Sequence, residues 1–122
     1  MDNQIHNKNI ESETAIISPI ELSKKIPISE MGKSNILASR KIVNDILVKK
    51  DSRIMVIVGP CSIHDIDAAK EYALKLKTLQ EELKDSVYLV MRVYFEKPRT
   101  TVGWKGLISD PDMDNSLDVD KG

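Results

Sequence analysis

The sequence has little of several features that mark particular protein classes. It holds one cysteine, Cys61, in 122 residues, which excludes an internal disulfide framework. No uninterrupted apolar stretch approaches the roughly 20 residues that a membrane-spanning helix needs. A formal net charge of -1 argues against a general polyanion binder, so neither a membrane nor a nucleic acid is an expected partner. The beginning of the chain also has no apolar secretion signal, and we therefore expect a cytoplasmic protein.

The composition is otherwise that of a globular protein, with 41% hydrophobic and 30% charged residues, enough for one modest domain. Residues 1–14 are polar and are expected to form a flexible arm. Residues 15–50 are expected to form a helical extension. Within it, "SPIE" at 18–21 has the cap, proline and glutamate of a helix start, and apolar residues at three- and four-residue spacings predict a second helix over 30–49.

A strand–helix–strand unit follows. "RIMVIVGP" at 53–60 and "VYLVMRVYF" at 87–95 are short, β-branched apolar runs, typical of parallel strands that are buried on both faces. Between them, apolar residues recur at helical spacing from a predicted cap at Asp65 to about Asp85. The predicted fold class is α/β, with a right-handed crossover between two parallel strands.

The first strand ends in "GPCSIHD" at 59–65. Ligands of parallel α/β proteins bind beyond the carboxyl ends of the strands, so the thiol of Cys61 and the imidazole of His64 are candidate metal ligands. One cysteine and one histidine without spaced partners are weak support for a metal site. Cys61 could instead be a small buried hydrophobic residue, His64 a loop residue and Asp65 a helix cap.

The second strand carries a cation. Alternation along 87–95 places Arg92 on one face near the strand end, where we expect a largely buried environment. A buried guanidinium needs a partner. That partner is either a structural carboxylate or a carboxylate or phosphate of a ligand, which arginine holds in a bidentate fork.

The segment after the second strand combines cations, hydroxyls and turn residues, and it predicts an anion-binding loop. The alternative is a solvated charged turn. The residues concerned are Lys97, Pro98, Arg99, Thr100, Thr101, Gly103, Lys105 and Gly106.

Two motifs identify a resemblance. "GPCSIHD" at 59–65 and "MRVYFEKPRTTVGWKGLISDPDMDNS" at 91–116 resemble the 3-deoxy-D-arabino-heptulosonate 7-phosphate (DAHP) synthases, the microbial type that aromatic amino acids inhibit. The resemblance implies condensation of phosphoenolpyruvate with erythrose 4-phosphate, the first step of the shikimate pathway. It also implies a divalent metal ion, of the Mn, Fe, Co or Zn class, and a homo-oligomer with an aromatic amino acid as inhibitor.

The resemblance implies roles for individual residues. Cys61 would be a metal ligand, and Lys97 would be the catalytic residue. Substrates would be bound by Arg92, Lys97, Pro98, Arg99, Thr100 and Lys105.

The family fold is a (β/α)₈ barrel, which typically takes about 250 residues. Residues 51–122 would supply only its first two βα units, so the barrel is incomplete in this chain and the chain alone is expected to be inactive. One hypothesis is therefore the N-terminal third of a longer enzyme. The alternatives are a truncated, non-catalytic remnant that binds phosphate weakly or joins full-length subunits, and an unrelated anion-binding α/β domain.

Overall fold

The structure is a computed structural model that describes residues 13, 15–96 and 102–122. Its elements, in order, are α1 (Pro19–Lys25), α2 (Glu30–Leu47), β1 (Ile54–Val58), α3 (Ile66–Leu83) and β2 (Val87–Met91). The predicted order of two helices followed by strand, helix and strand is confirmed. The predicted arm, residues 1–14, lies outside the described residues apart from residue 13. Within the described part of the chain, no helix is long and apolar enough to cross a membrane.

The helical extension begins as its sequence predicts. The Ser18 side chain accepts a hydrogen bond from the Glu21 N–H, and the Glu21 carboxylate accepts one from the Ser18 N–H, at 3.3 and 3.2 Å. The bonds from Ser18 lower the pKa of Glu21, because they stabilise its charged form. Ser29 caps α2 through one such bond, since its side chain accepts a hydrogen bond from the Gly32 N–H at 3.0 Å. That helix ends at Leu47 rather than 49, since Lys49 has a φ of 60°, which a right-handed helix cannot accommodate.

The two strands form a parallel sheet, as predicted. They pair in register from Ile54 with Val87 to Val58 with Met91, so both carboxyl ends lie at one edge. The connecting helix α3 packs against β2. Its predicted cap is confirmed, because the Asp65 carboxylate accepts a hydrogen bond from a first-turn N–H at 2.9 Å.

The second strand is shorter than predicted, ending at Met91 instead of residue 95. The Arg92 N–H still donates to the carbonyl of Val58 at 2.8 Å. However, β1 ends at Val58, and Pro60 has no N–H with which to extend the ladder. Residues 92–96 therefore continue without a strand partner.

The prediction that both strands are buried on both faces is wrong for the described residues. No hydrophobic side chain in ranges 13, 15–96 and 102–122 is buried, and Ile54 and Ile57 are 67% and 64% exposed. The physical reason is coverage, because two strands and three helices leave much of each strand surface without a packing partner.

Candidate functional site

The segments after the two strands lie side by side. The Ile63 N–H, after β1, donates to the Tyr94 carbonyl, after β2, at 2.8 Å. A Cβ atom on Gly59 would lie 2.5 Å from the Arg92 carbonyl oxygen, so only glycine allows the backbones to approach this closely. The loop that carries Cys61 and the segment that carries Arg92 thus share one edge of the sheet, as the sequence predicts.

Arg92 is exposed, which corrects the prediction of a buried guanidinium. The inward alternation assumed for 87–95 does not reach Arg92, because the strand ends at Met91. Its guanidinium carbon lies 5.0 Å from the centre of the Tyr94 ring, a cation–π contact. No carboxylate of the described residues forms an ion pair with it. The guanidinium can therefore receive an anion from solution in a bidentate fork.

The predicted anion-binding loop is closed at its base. The Leu107 N–H donates to the Phe95 carbonyl at 3.3 Å. Gly106 is buried, and a Cβ atom on it would contact the same carbonyl at 3.4 Å. Its φ of 112° also favours glycine. Glu96 and Gly106 therefore lie next to each other beside the end of β2.

Most of the predicted substrate-binding residues of this loop lie outside the described residues, as does the predicted catalytic lysine. They are Lys97, Pro98, Arg99 and Thr100. The exceptions are Arg92, three residues before the base of the loop, and Lys105, which is exposed on the returning limb. The structure thus places one predicted substrate-binding cation on each side of the loop base.

The returning limb is held by a turn that the sequence interpretation missed. The indole Nε1–H of Trp104 donates to the Asp110 carbonyl at 2.6 Å. The Asp110 N–H donates to the Gly106 carbonyl at 2.9 Å. Asp110 is 1% exposed, whereas an aspartate in the acidic run "SDPDMD" would be expected at the surface. The glycines and the single tryptophan of the neighbouring "GWKG" are the signal that could have indicated an ordered turn.

Several of the aspartates that follow form ion pairs or hydrogen bonds. Lys121 forms an ion pair with Asp112 at 2.6 Å, and the Asp112 carboxylate raises the pKa of Lys121. A hydrogen bond from Ser116 lowers the pKa of Asp114. Asp120 accepts a hydrogen bond from the Ile17 N–H at 2.9 Å, which ties the segment before α1 to residues that follow the loop.

Cys61 is exposed, so the alternative of a small buried hydrophobic residue is wrong. His64 is exposed as well. In residues 13, 15–96 and 102–122, no group of three or more His, Cys, Asp or Glu side chains could hold a metal ion. Divalent metals of this class usually take three or four protein ligands, so the described residues do not fit a complete metal site.

Comparison with known proteins decides the family. Residues 19–122 match the family model described as the DAHP synthetase I family. This chain belongs to that family. The resemblance that the two motifs indicate is therefore confirmed.

Curated relatives within the DAHP synthetase I family are about half identical to the chain. The phospho-2-dehydro-3-deoxyheptonate aldolase, Tyr-sensitive, of Escherichia coli strain K12 is 52% identical over 118 residues, which are 97% of this chain and 33% of the relative. The Phe-sensitive protein of the same organism is 50% identical over 122 residues, 100% of this chain and 35% of the relative. The names of these relatives record sensitivity to two different aromatic amino acids.

A solved structure of the same family shares the fold. The phospho-2-dehydro-3-deoxyheptonate aldolase of Francisella tularensis SCHU S4 matches with a TM-score of 0.86 and 47% sequence identity, over 93% of this chain and 33% of that one. The chain thus spans about a third of the length of the relatives it matches.

Proposed function

We propose that this chain is the N-terminal third of a DAHP synthase, a transferase that condenses phosphoenolpyruvate with erythrose 4-phosphate to give DAHP and phosphate. The observation that carries the proposal is the closed base of the loop 96–106. The Phe95–Leu107 hydrogen bond holds the ends of this cation-rich loop together at the carboxyl edge of a parallel sheet, where α/β enzymes bind their ligands. Membership of the family supplies the identity of the reaction.

The cations of this edge match the charge of the substrates. Each substrate carries a phosphate, and phosphoenolpyruvate also carries a carboxylate. In the proposal, Arg92 and Lys97 contact phosphoenolpyruvate, and the loop from Lys97 to Thr100 holds erythrose 4-phosphate together with Lys105. Bringing two anions together requires such neutralisation. Lys97 would also transfer a proton or stabilise charge at the reacting carbons.

The exposed apolar surface supports a larger architecture. β2 pairs with β1 along one edge only among the described residues; apolar side chains of β1 are largely exposed, and those of β2 are only half-buried. A (β/α)₈ barrel would pair the second edge and fill the interior with side chains from further strands. We therefore propose that β1 and β2 are the first two strands of such a barrel, preceded by α1 and α2.

The remaining parts of the proposal concern cofactor, regulation and assembly. Cys61 would provide one thiolate ligand to a divalent ion of the Mn, Fe, Co or Zn class, with further ligands from outside the described residues. An aromatic amino acid would act as a feedback inhibitor, as the names of the relatives indicate for those proteins. The protein would be a cytoplasmic homo-oligomer.

Arginine substitutions test the substrate assignment in the protein as its natural source makes it. Arg92→Ala should raise the Michaelis constant for phosphoenolpyruvate about tenfold or more, since a charge-assisted fork is lost. Arg40→Ala is the control, because Arg40 is an exposed arginine of α2 and belongs to neither of the segments that follow the two strands. If Arg92→Ala leaves both the Michaelis constant and turnover unchanged, the assignment of Arg92 is wrong.

A further inference from the structure

Trp104 and Asp110 close a turn on the returning limb of the loop. The Trp104 indole N–H donates to the Asp110 carbonyl at 2.6 Å. The Asp110 N–H donates to the Gly106 carbonyl at 2.9 Å, and the Met113 N–H donates to the Asp110 carbonyl at 3.3 Å. Trp104 is half-buried and Asp110 is buried. One residue thus receives or supplies three hydrogen bonds that define the turn.

Lys105 lies between two residues that are bonded to Asp110. Its preceding neighbour, Trp104, is held through the indole ring, and its following neighbour, Gly106, through the backbone carbonyl. The next residue, Leu107, is bonded to the Phe95 carbonyl at the base of the loop. The backbone of the exposed Lys105 is therefore fixed on both sides relative to the end of β2.

Burial of the Asp110 side chain destabilises the turn. Its Oδ2 accepts one long hydrogen bond, from the Asn115 N–H at 3.3 Å. Its Oδ1 is buried and has no hydrogen-bond partner among residues 13, 15–96 and 102–122. Burying a carboxylate with incomplete hydrogen bonding costs free energy. A turn that includes such an unfavourable burial is typical of a segment whose geometry serves a function.

We propose that the Trp104–Asp110 hydrogen bond positions Lys105 for the phosphate of a bound substrate. This inference rests on the proposed function, since it assigns a positioning residue to the same site. Trp104 acts through Lys105 and has no contact of its own with the substrate. The bond limits the conformations of the lysine backbone before the substrate arrives, which lowers the entropic cost of binding.

Trp104→Phe removes the indole donor and keeps an aromatic ring. We expect the Michaelis constant for erythrose 4-phosphate to rise about three- to tenfold, the size of effect of one hydrogen bond, with turnover nearly unchanged. In a Lys105→Ala background the same substitution should have little further effect, because the residue it positions is gone. Asp112→Asn is the control, since it breaks the Lys121 ion pair of the same segment without touching Trp104 or Asp110.

Amide hydrogen exchange tests the Trp104–Asp110 hydrogen bond independently of activity. Trp104→Phe should speed exchange of the Asp110 and Met113 N–H groups, and Asp112→Asn should leave the Asp110 N–H unchanged. If Trp104→Phe prevents folding, the tryptophan analogue with sulfur in place of the indole N–H removes the donor alone.

The outcomes separate the two proposals. If Trp104→Phe leaves the exchange rate of the Asp110 N–H unchanged, the Trp104–Asp110 hydrogen bond does not hold the turn, whatever the effect on activity. Faster exchange with an unchanged Michaelis constant, or full additivity with Lys105→Ala, overturns the positioning role. If the unaltered protein has no turnover, the proposed function fails. The positioning role of Trp104 is then tested by the affinity for inorganic phosphate. A weaker affinity in Trp104→Phe than in the unaltered protein supports that role, and an equal affinity overturns it.

Discussion

Gly59 lies against the backbone of Arg92, at a distance that leaves no room for a side chain. A Cβ atom there would be 2.5 Å from the Arg92 carbonyl oxygen and 3.0 Å from its Cβ and its amide nitrogen. The residue that follows one strand therefore sets the position of the cation that follows the other strand. This contact links the two sequence motifs in space.

Gly59→Ala should displace the segment around Arg92 and destabilise the fold by about 1–3 kcal/mol, because the backbones must separate. Gly103→Ala is the matched control, since Gly103 has a φ of 115° but a Cβ atom added to it would meet no other atom of the described part of the chain within 4 Å. Urea unfolding and the amide resonance of Arg92 measure the two effects. Equal destabilisation by both variants, with an unmoved Arg92 resonance, would argue against the contact.

Arg53 joins three parts of the chain. Its guanidinium pairs with Asp51 at 2.6 Å, donates to the Lys84 carbonyl at 3.2 Å and lies 5.3 Å from the centre of the Tyr88 ring. Arg53→Met should therefore lower the thermal midpoint. Arg40→Met, which changes an exposed arginine on α2, should leave it nearly unchanged. Equal midpoints for both variants would mean that the Arg53 contacts contribute little.

The same ion pair predicts a pH dependence. Hydrogen bonds from Arg53 lower the pKa of Asp51 below its ordinary value of 3.8. A carboxyl group whose pKa is lower in the folded state than in the unfolded state stabilises the fold. This stabilisation is complete at a pH above the unfolded-state pKa and is lost as the pH falls through the folded-state pKa. The difference in thermal midpoint between the unaltered protein and Arg53→Met should therefore narrow as the pH falls below that ordinary value. If the difference in thermal midpoint stays constant with pH, the ion pair of Asp51 with Arg53 does not contribute to stability.

Gln80 of α3 covers the outer edge of β2. The backbone groups of Ser86 and Arg92 form hydrogen bonds with β1. Backbone groups alternate in direction along a strand, so those of every second residue of β2 point to the other edge. There the Gln80 amide donates to the Val87 carbonyl at 3.1 Å and accepts from the Leu89 N–H at 2.6 Å. In this chain the side chain thus occupies hydrogen-bonding positions that the next strand of the proposed barrel would take.

Gln80→Leu should speed amide exchange at Leu89 about tenfold in the 122-residue chain and promote self-association through the uncovered edge. Lys77→Leu adds the same apolar group to an exposed position of α3 and should leave Leu89 unaffected. Exchange and sedimentation measure both effects. If Leu89 exchanges at the same rate in Gln80→Leu, Gln80 does not protect the edge.

Local features of the fold could be predicted from sequence because each depends on near neighbours. The capping box at Ser18 and the cap at Asp65 are patterns spanning a few residues, and the parallel pairing of β1 and β2 follows from two apolar runs around a helical period. The exposure of Arg92 could not be predicted in this way. It depends on where β1 ends, and therefore on a partner strand distant in sequence.

The site could be predicted by residue type but not by arrangement. The cations and glycines of the loop marked it as a candidate anion site, whereas the turn that holds Lys105 depends on which of several neighbouring aspartates is buried. Nothing in the run "SDPDMD" distinguishes Asp110 from Asp112. The difference arises from the Trp104 hydrogen bond and from the return of the chain to Phe95.

The most direct test of the central claim is an assay of the protein purified from its natural source, together with its intact mass. Phosphate release is measured with phosphoenolpyruvate and erythrose 4-phosphate, supplied together or singly, in the presence of manganese. We expect a mass well above 13.7 kDa and phosphate release only when both substrates are present. A mass of 13.7 kDa with no phosphate release would contradict it and would favour a non-catalytic member of the family.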